Sequence, residues 1–324
     1  MFVNLLYKMI GNRLSPAGRN ARLSILIYHR VLVQQDSLAP YEPTAAVFDA
    51  QIAQLNAVFN VLPLSEAIGR LETGTLPARA ACVTFDDGYA DNLTVALPIL
   101  QKHGVHATFF IATAFLNGGR MFNDTVIEAI RYCRESEIDL TALGLGQHDI
   151  STPQAKRKVI GDILPKVKYL PQDQRQEKVA ELLRMVGDVE LPNDLMMTTT
   201  QLRTLHAAGM GIGAHTSSHP ILANLNDMNA REEIAAGKEF LENTLGVRIG
   251  LFAYPNGKPG SDYAQQHIAI VRELGFDAAL STQPGSATQS SDIFQLPRYT
   301  PWQPDPARYT LALLNNLRSG KQGR

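Results

Sequence analysis

The chain has 324 residues, 45% of them hydrophobic, and a formal net charge of −1. That length suits one large α/β domain or two modest ones, and a charge so close to zero provides no long-range field for nucleic acid. The only cysteines, Cys82 and Cys133, exclude a disulfide scaffold and lack metal-motif spacing.

The chain opens on a basic amphipathic segment, residues 1–22. Phe2, Leu5, Leu6, Met9 and Ile10 recur at helical spacing, and the first acid comes only after Lys8, Arg13, Arg19, Arg22 and Arg30. Two readings stand: a helix lying on an anionic membrane surface through residues 1–20, or a helix closing one end of the fold. Asn4 and Lys8 interrupt the apolar start and no clean cleavage site follows, so no secretory signal is expected. No apolar run reaches the length of about 18 residues that a spanning helix needs. The expected location is therefore cytoplasmic, with contact at the inner face of the membrane as the extension.

Residues 24–33 read as a buried strand. Val47, Phe48, Ile52, Leu55 and Phe59 then mark a helix, 60–64 a short strand, and Ser65 a helix cap. A strand at 80–85 runs into Asp86-Asp87-Gly88. A helix over 91–103 follows, which Gly104 stops, and then a strand at 106–112. Residues 117–200 break the rhythm: they are richer in charge and mostly helical, notably 156–189, and read as an insertion suited to substrate selection. The alternation resumes with helix 201–208, strand 209–214, helix 230–245, strand 250–254, helix 263–274 and strands 277–281 and 292–296. Residues 305–324 are a closing helix and tail. Strands alternating with helices argue for a parallel sheet covered by helices. The expected architecture is α/β, a distorted (β/α)7-type barrel over residues 23–304 with a helical insertion.

Three segments follow expected strands, where active-site groups gather in such barrels. Asp86 and Asp87 are adjacent carboxylates that need a cation or different proton states, although Asp-Asp-Gly alone reads as a solvated turn. His215 and His219, four residues apart, can converge on one metal and with a carboxylate leave positions open for water. Tyr254-Pro255-Asn256-Gly257 is a tight loop whose amides could face that metal. Tyr89 and Tyr254 are candidates for stacking on a sugar ring or for simple packing, and Asn123 and Asp124 for contacts with sugar hydroxyls. Trp302 reads as an anchor for the last helix rather than a sugar platform.

Together TFDDGYADN, HATFFIAT, GIGAHTSSHP and LFAYPNG resemble the polysaccharide deacetylase superfamily, also called NodB-homology or carbohydrate esterase family four, over most of residues 23–300. The resemblance implies that Asp87, His215 and His219 hold a divalent metal, zinc above all. It makes Asp86 the general base toward a metal-bound water, and the substrate an acylated amino-sugar polysaccharide or its precursor. The Asn256 amide becomes a candidate oxyanion donor. Two departures stand out: the arginine usual in the Pro-containing loop is replaced by Ala253, and the C-terminal Leu-x-His that supplies the acid is missing. Leu26-Ile27-Tyr28-His29 on the first strand resembles that missing motif, as in deacetylases of matrix polysaccharides with permuted motif order. His29 is thus the expected general acid, and Arg298 the expected guanidinium for Asp86. The competing readings are a hydrolase of small cyclic amides, imides or O-acyl esters, and a carbohydrate binder without turnover, which Ala253 prompts.

Overall fold

The structure is a computed structural model that describes residues 2–187 and 189–318; Met1, Asp188 and the tail expected over 319–324 lie outside the described residues. A helix, α1 (Phe2–Leu14), precedes the first strand, β1 (Leu23–Tyr28). Then come α2 (Ala45–Val58), β2 (Asn60–Val61), α3 (Leu64–Thr73), β3 (Ala80–Phe85), α4 (Leu97–Lys102) and β4 (Ala107–Ile111). The inserted stretch holds α5 (Phe122–Tyr132), β5 (Glu137–Asp139), β6 (Gln147–Asp149), α6 (Pro153–Lys168) and α7 (Gln172–Val186). The barrel resumes with α8 (Thr199–Ala207), β7 (Gly211–Ala214), α9 (Asp227–Leu245), β8 (Leu251–Ala253), α10 (Gln265–Glu273), β9 (Ala278–Leu280) and α11 (Pro306–Asn316).

Every residue of β1, β3 and β4 is buried, as parallel strands covered on both faces require. The sheet order is β1-β3-β4-β7-β8-β9, all parallel, with β2 beside the start of β3. Alternate side chains enter two separate clusters. On one face Val83, Phe85, Phe109, Ile111 and Phe252 pack with residues of α2, α4, α8, α9 and α10. On the other, Ile25, Cys82, Phe110, Ala253 and Leu280 pack with Leu64, Ala67, Ile68 and Leu71 of α3. The second face is the interior of the curled sheet, which α3 plugs beside the strand starts.

The sheet is closed by an irregular segment. Leu296 bridges β9 at Leu280 and Tyr299 bridges β1 at Leu26, both in parallel sense, so residues 296–299 fill the gap between first and last strands. The strand expected at 292–296 is instead a single 3-10 turn, Ile293–Gln295, because the Asp292 carboxylate accepts from the Phe294 amide and caps a turn. The helix expected over 91–103 begins with a π-helical turn, Asn92–Ala96, before α4. The insertion has its own apolar cluster, including Val126, Ile130, Ile160, Ile163 and Leu182. It also contains the antiparallel β5–β6 hairpin, which the helical expectation missed: each strand is three residues long and offers at most one buried side chain.

Candidate active site

The candidate residues leave several strands at the same end of the sheet. Asp86 and Asp87 follow β3, His215 follows β7, Tyr254–Gly257 follow β8 and His29 follows β1, while Arg298 comes from the closing segment. The Asp86 amide donates to the Tyr28 carbonyl at 3.0 Å, which sets the acidic pair level with His29. Six non-glycine residues have positive φ among the described residues, and four of them are here: Asp87 (77°), Thr216 (64°), His219 (54°) and Asn256 (58°). Such geometry costs about 1–3 kcal/mol per residue and collects at functional sites.

Asp86 and Arg298 form a fully buried pair. The guanidinium donates from Nη1 to Oδ1 and from Nη2 to Oδ2, both at 2.7 Å, while its Nε donates to the Ser281 carbonyl at 2.9 Å. Burial pushes the Asp86 pKa up, but the charge of Arg298, then that of His215, outweighs it and holds the carboxyl below its ordinary value. The guanidinium thus arrives from a segment remote in sequence from the Pro-containing loop. Ala253 has another use in its place. Its side chain packs in the sheet interior and its carbonyl accepts from His215 Nδ1 at 2.7 Å. That bond places the proton on Nδ1 and leaves the Nε2 lone pair free.

His215 Nε2 and His219 Nε2 each lie 3.4 Å from Asp87 Oδ1, and the ligand-type atoms of the three residues all fall within 4.8 Å of one another. Asp87 Oδ1 is buried with no hydrogen-bond partner among the described residues. A buried carboxylate oxygen facing two imidazole nitrogens without a hydrogen bond is unsatisfied by protein alone; one divalent cation satisfies all three, so the residues fit a metal. Burial lowers the His219 pKa to about 4, which keeps that imidazole neutral, as a ligand must be. For Asp87 burial raises the pKa, and the neighbouring imidazoles of His215 and His219 more than offset it, holding the group ionised.

Residues that sequence reasoning passed over hold these groups in place. Glu233 of α9 accepts from the Ser217 amide at 3.1 Å, the Ser218 amide at 2.8 Å and the Ser218 hydroxyl at 2.6 Å, clamping the turn between the two histidines. Gly237, one helical turn on, lets α9 approach that turn: a Cβ there would stand 2.6 Å from the Thr216 carbonyl oxygen. Asp91 takes Arg30 Nε at 2.8 Å and the Val31 amide at 3.1 Å, and Asn92 donates to the His29 carbonyl at 2.8 Å. These two lie inside TFDDGYADN and tie the end of β1 to the acidic pair. Glu233 had no such signal, since acids on exposed helix faces are common. His29 is half-buried and stands close enough to Asp86, Asp87 and His219 to act on all three electrostatically.

Three aromatic expectations need correction. Tyr254 is fully buried, stacked on Tyr263 with centroids 3.8 Å apart, and donates to the Phe294 carbonyl; no ring face is left for a sugar. Tyr89 is buried beneath the Arg30 guanidinium and donates to both oxygens of Asp124 at 3.1 Å, so Asp124 is a buried partner of Tyr89 rather than a sugar contact. Trp302 anchors nothing: it is 60% exposed and meets the exposed Tyr41 edge-on at 6.0 Å. Pro255 is buried, while Asn256 is half-buried. The backbone amides of Tyr89 and Asn256 have no acceptor among the described residues.

A family model described as polysaccharide deacetylase matches residues 73–279, which takes in both acids and both histidines but neither His29 nor Arg298. The Bacillus subtilis protein YxkH, assigned to the polysaccharide deacetylases, is 21% identical over 280 residues, covering 86% of this chain and 71% of YxkH. Two solved structures share the fold. The Streptococcus pyogenes deacetylase PplD in complex with acetate has a TM-score of 0.60 at 20% identity, covering 92% of this chain and 98% of its own. IcaB from Ammonifex degensii has a TM-score of 0.59 at 19% identity, covering 94% and 98%. The chain belongs to the polysaccharide deacetylase family, enzymes that hydrolyse carbon–nitrogen bonds other than peptide bonds.

Proposed function

We propose that this chain removes N-acetyl groups from the amino-sugar residues of a polysaccharide or its precursor, with a divalent metal, zinc by preference, on Asp87, His215 and His219. The observation that carries the reading is the unsatisfied Asp87 Oδ1 facing two imidazoles, one residue from a carboxylate paired with a buried arginine. When bound, the cation supplies Lewis acidity toward the amide carbonyl and lowers the pKa of water toward about 7. Asp86, ionised and fixed in orientation by Arg298, accepts the proton from the attacking water. The amides of Tyr89 and Asn256 are the free donors for the oxygen that gains charge on attack. His29 delivers a proton to the departing amine, which otherwise leaves as a strongly basic anion. The exposed pair Tyr41 and Trp302 offers a platform for the sugar chain. It lies at the site end of the barrel, because Gln51 joins the Pro301 and Gln303 carbonyls to the Tyr28 hydroxyl at the end of β1.

The reading extends to location, on the cytoplasmic side at the inner face of the membrane. In its support, α1 packs inward through Tyr7 and Gly11 and leaves Phe2, Val3, Leu5, Leu6 and Met9 more than half exposed beside Lys8. No helix among the described residues is long and apolar enough to cross a membrane.

The test is acetate release from N-acetylglucosamine oligomers before chelation, after it, and after zinc is restored. Release that stops with chelator and returns with zinc supports the reading, and His29→Ala should then lose about a hundredfold or more with metal still bound. Hydrolysis confined to O-acetyl esters or small cyclic imides would replace the substrate, and metal binding without turnover of any acyl group would sink the mechanism.

A further inference from the structure

A cavity of about 260 Å³ lies between the insertion and the turn that carries the histidines, and its wall includes Ser218, the residue before His219. The long side of α7 supplies Gln172, Arg175 and Gln176, and Arg120, Phe115 and Phe122 face them. No acidic side chain lines it. Arg175 is only 6% exposed, yet among the described residues its guanidinium has no hydrogen-bond acceptor and no carboxylate partner. It lies over the ring of Phe122, 4.6 Å from the centroid. A buried cation without a counter-charge is costly to keep. Burial alone acts on it, lowering its pKa, with no acid near enough to oppose that.

Two further features give the cavity the same polarity. Arg120 stands fixed beside it by hydrogen bonds to Thr125 Oγ1 and the Pro192 carbonyl. The N-terminus of α7 has no side-chain cap, so its free amides add positive potential beside Gln172, Arg175 and Gln176, and Asp173, the acid of that turn, does not line the cavity. Thr125, Val179, Ala180 and Leu183 complete the lining; the apolar side chains, with Phe115 and Phe122, suit the apolar face of a sugar ring, and Gln172 and Gln176 its hydroxyls. Gln172 also reaches the Ser218 hydroxyl at 3.4 Å, linking this wall to the histidine turn.

We propose that this cavity is a subsite for an oxoanion carried by the substrate, a carboxylate or phosphate on a sugar next to the one deacetylated, with Arg175 as its counter-charge. The proposal rests on the deacetylase reading of the neighbouring site and narrows its substrate to an anionic glycan or a phosphate-linked precursor. Arg175 is the residue that distinguishes such a substrate from a neutral amino-sugar chain.

The experiment uses the zinc-loaded full chain and two readouts. Saturation-transfer NMR compares N-acetylglucosamine, N-acetylglucosamine 6-phosphate and N-acetylglucosaminuronic acid without needing turnover. Acetate release compares neutral oligomers with oligomers that carry each anion. The expected result is a preference of about ten- to a hundredfold for an anionic ligand, the range of one charge-assisted hydrogen bond. That preference should be lost in Arg175→Gln and partly kept in Arg175→Lys. Preference for the carboxylate identifies an acidic glycan, and preference for the phosphate a phosphate-linked precursor. Arg175→Gln should melt no lower than the parent, since it removes an uncompensated buried charge; a purely structural arginine would melt lower. Anions that bind no better than the neutral sugar, or an Arg175→Gln protein that keeps the preference, would overturn the proposal. Selective binding with no acetate release from any oligomer would keep the subsite and sink the deacetylase reading instead.

Discussion

Arg298→Gln cuts both guanidinium bonds to Asp86 and leaves that carboxylate buried, with the His215 Nε2 3.8 Å away. Removing one member of a buried ion pair costs about 3–5 kcal/mol. At about 2 °C per kcal/mol for a chain of this length, the melting temperature should fall on the order of 6–10 °C. The loss should be non-additive with Asp86→Asn. The double variant removes both charges, so a coupling energy well above about 0.5 kcal/mol is expected from a denaturant double-mutant cycle. Activity should report the same pair. Without Arg298, burial is less opposed and the Asp86 pKa rises, so the acidic limb of kcat/KM moves to higher pH. Arg298→Lys keeps the charge but not the two-point geometry, and should restore stability better than rate. A melting temperature within a degree or two of the parent, coupling below about 0.5 kcal/mol and an unmoved acidic limb would together refute the argument that Arg298 serves Asp86.

Two other changes test what surrounds the site. Gly237→Ala puts a Cβ 2.6 Å from the Thr216 carbonyl oxygen and 2.7 Å from its carbon. Overpacking of about 1–3 kcal/mol should outweigh the gain of up to about 1 kcal/mol in helix propensity, and zinc affinity by competition with a chromogenic chelator should weaken because the histidine turn is displaced; unchanged affinity would show that α9 does not set that turn. Asp124 has its pKa raised to about 7 by burial above all, with Asp87 adding to it and Arg30 opposing. A carboxyl raised in the folded state costs nothing below the unfolded pKa near 4 and progressively destabilises as pH climbs to about 7. Asp124→Asn should therefore match the parent near pH 4 and exceed it above pH 7 by up to about 4 kcal/mol, read by chemical denaturation at both pH values; a constant difference across that range would count against it.

Much of this molecule was legible in one dimension because local signals carried it. Continuous apolar runs announced β1, β3 and β4, since parallel strands buried on both faces have no polar side to show. The pair Asp86-Asp87 and the spacing of His215 and His219 marked the metal-type cluster, because each pair sits on a single turn after a single strand. That Ala253 stands where the family usually has an arginine was visible, and so was a candidate replacement, Arg298, just past the strand expected at 292–296. The residues that hold the site were less visible. Glu233 clamps the histidine turn from a helix separated from it in sequence, and a helical glutamate has the same local pattern whether it does so or faces water. Whether an aromatic stacks on substrate or on its neighbours depends on packing: Tyr254 meets Tyr263 face to face, while Trp302, expected to anchor, stays in solvent. The sequence by itself determined which strands would be buried and which residue types would meet at their ends. Only the tertiary structure decided how the barrel closes through residues 296–299, which arginine reaches Asp86, and that Arg175 is buried without a partner, because each depends on segments brought together across more than a hundred residues or on the absence of a neighbour, which no local pattern records.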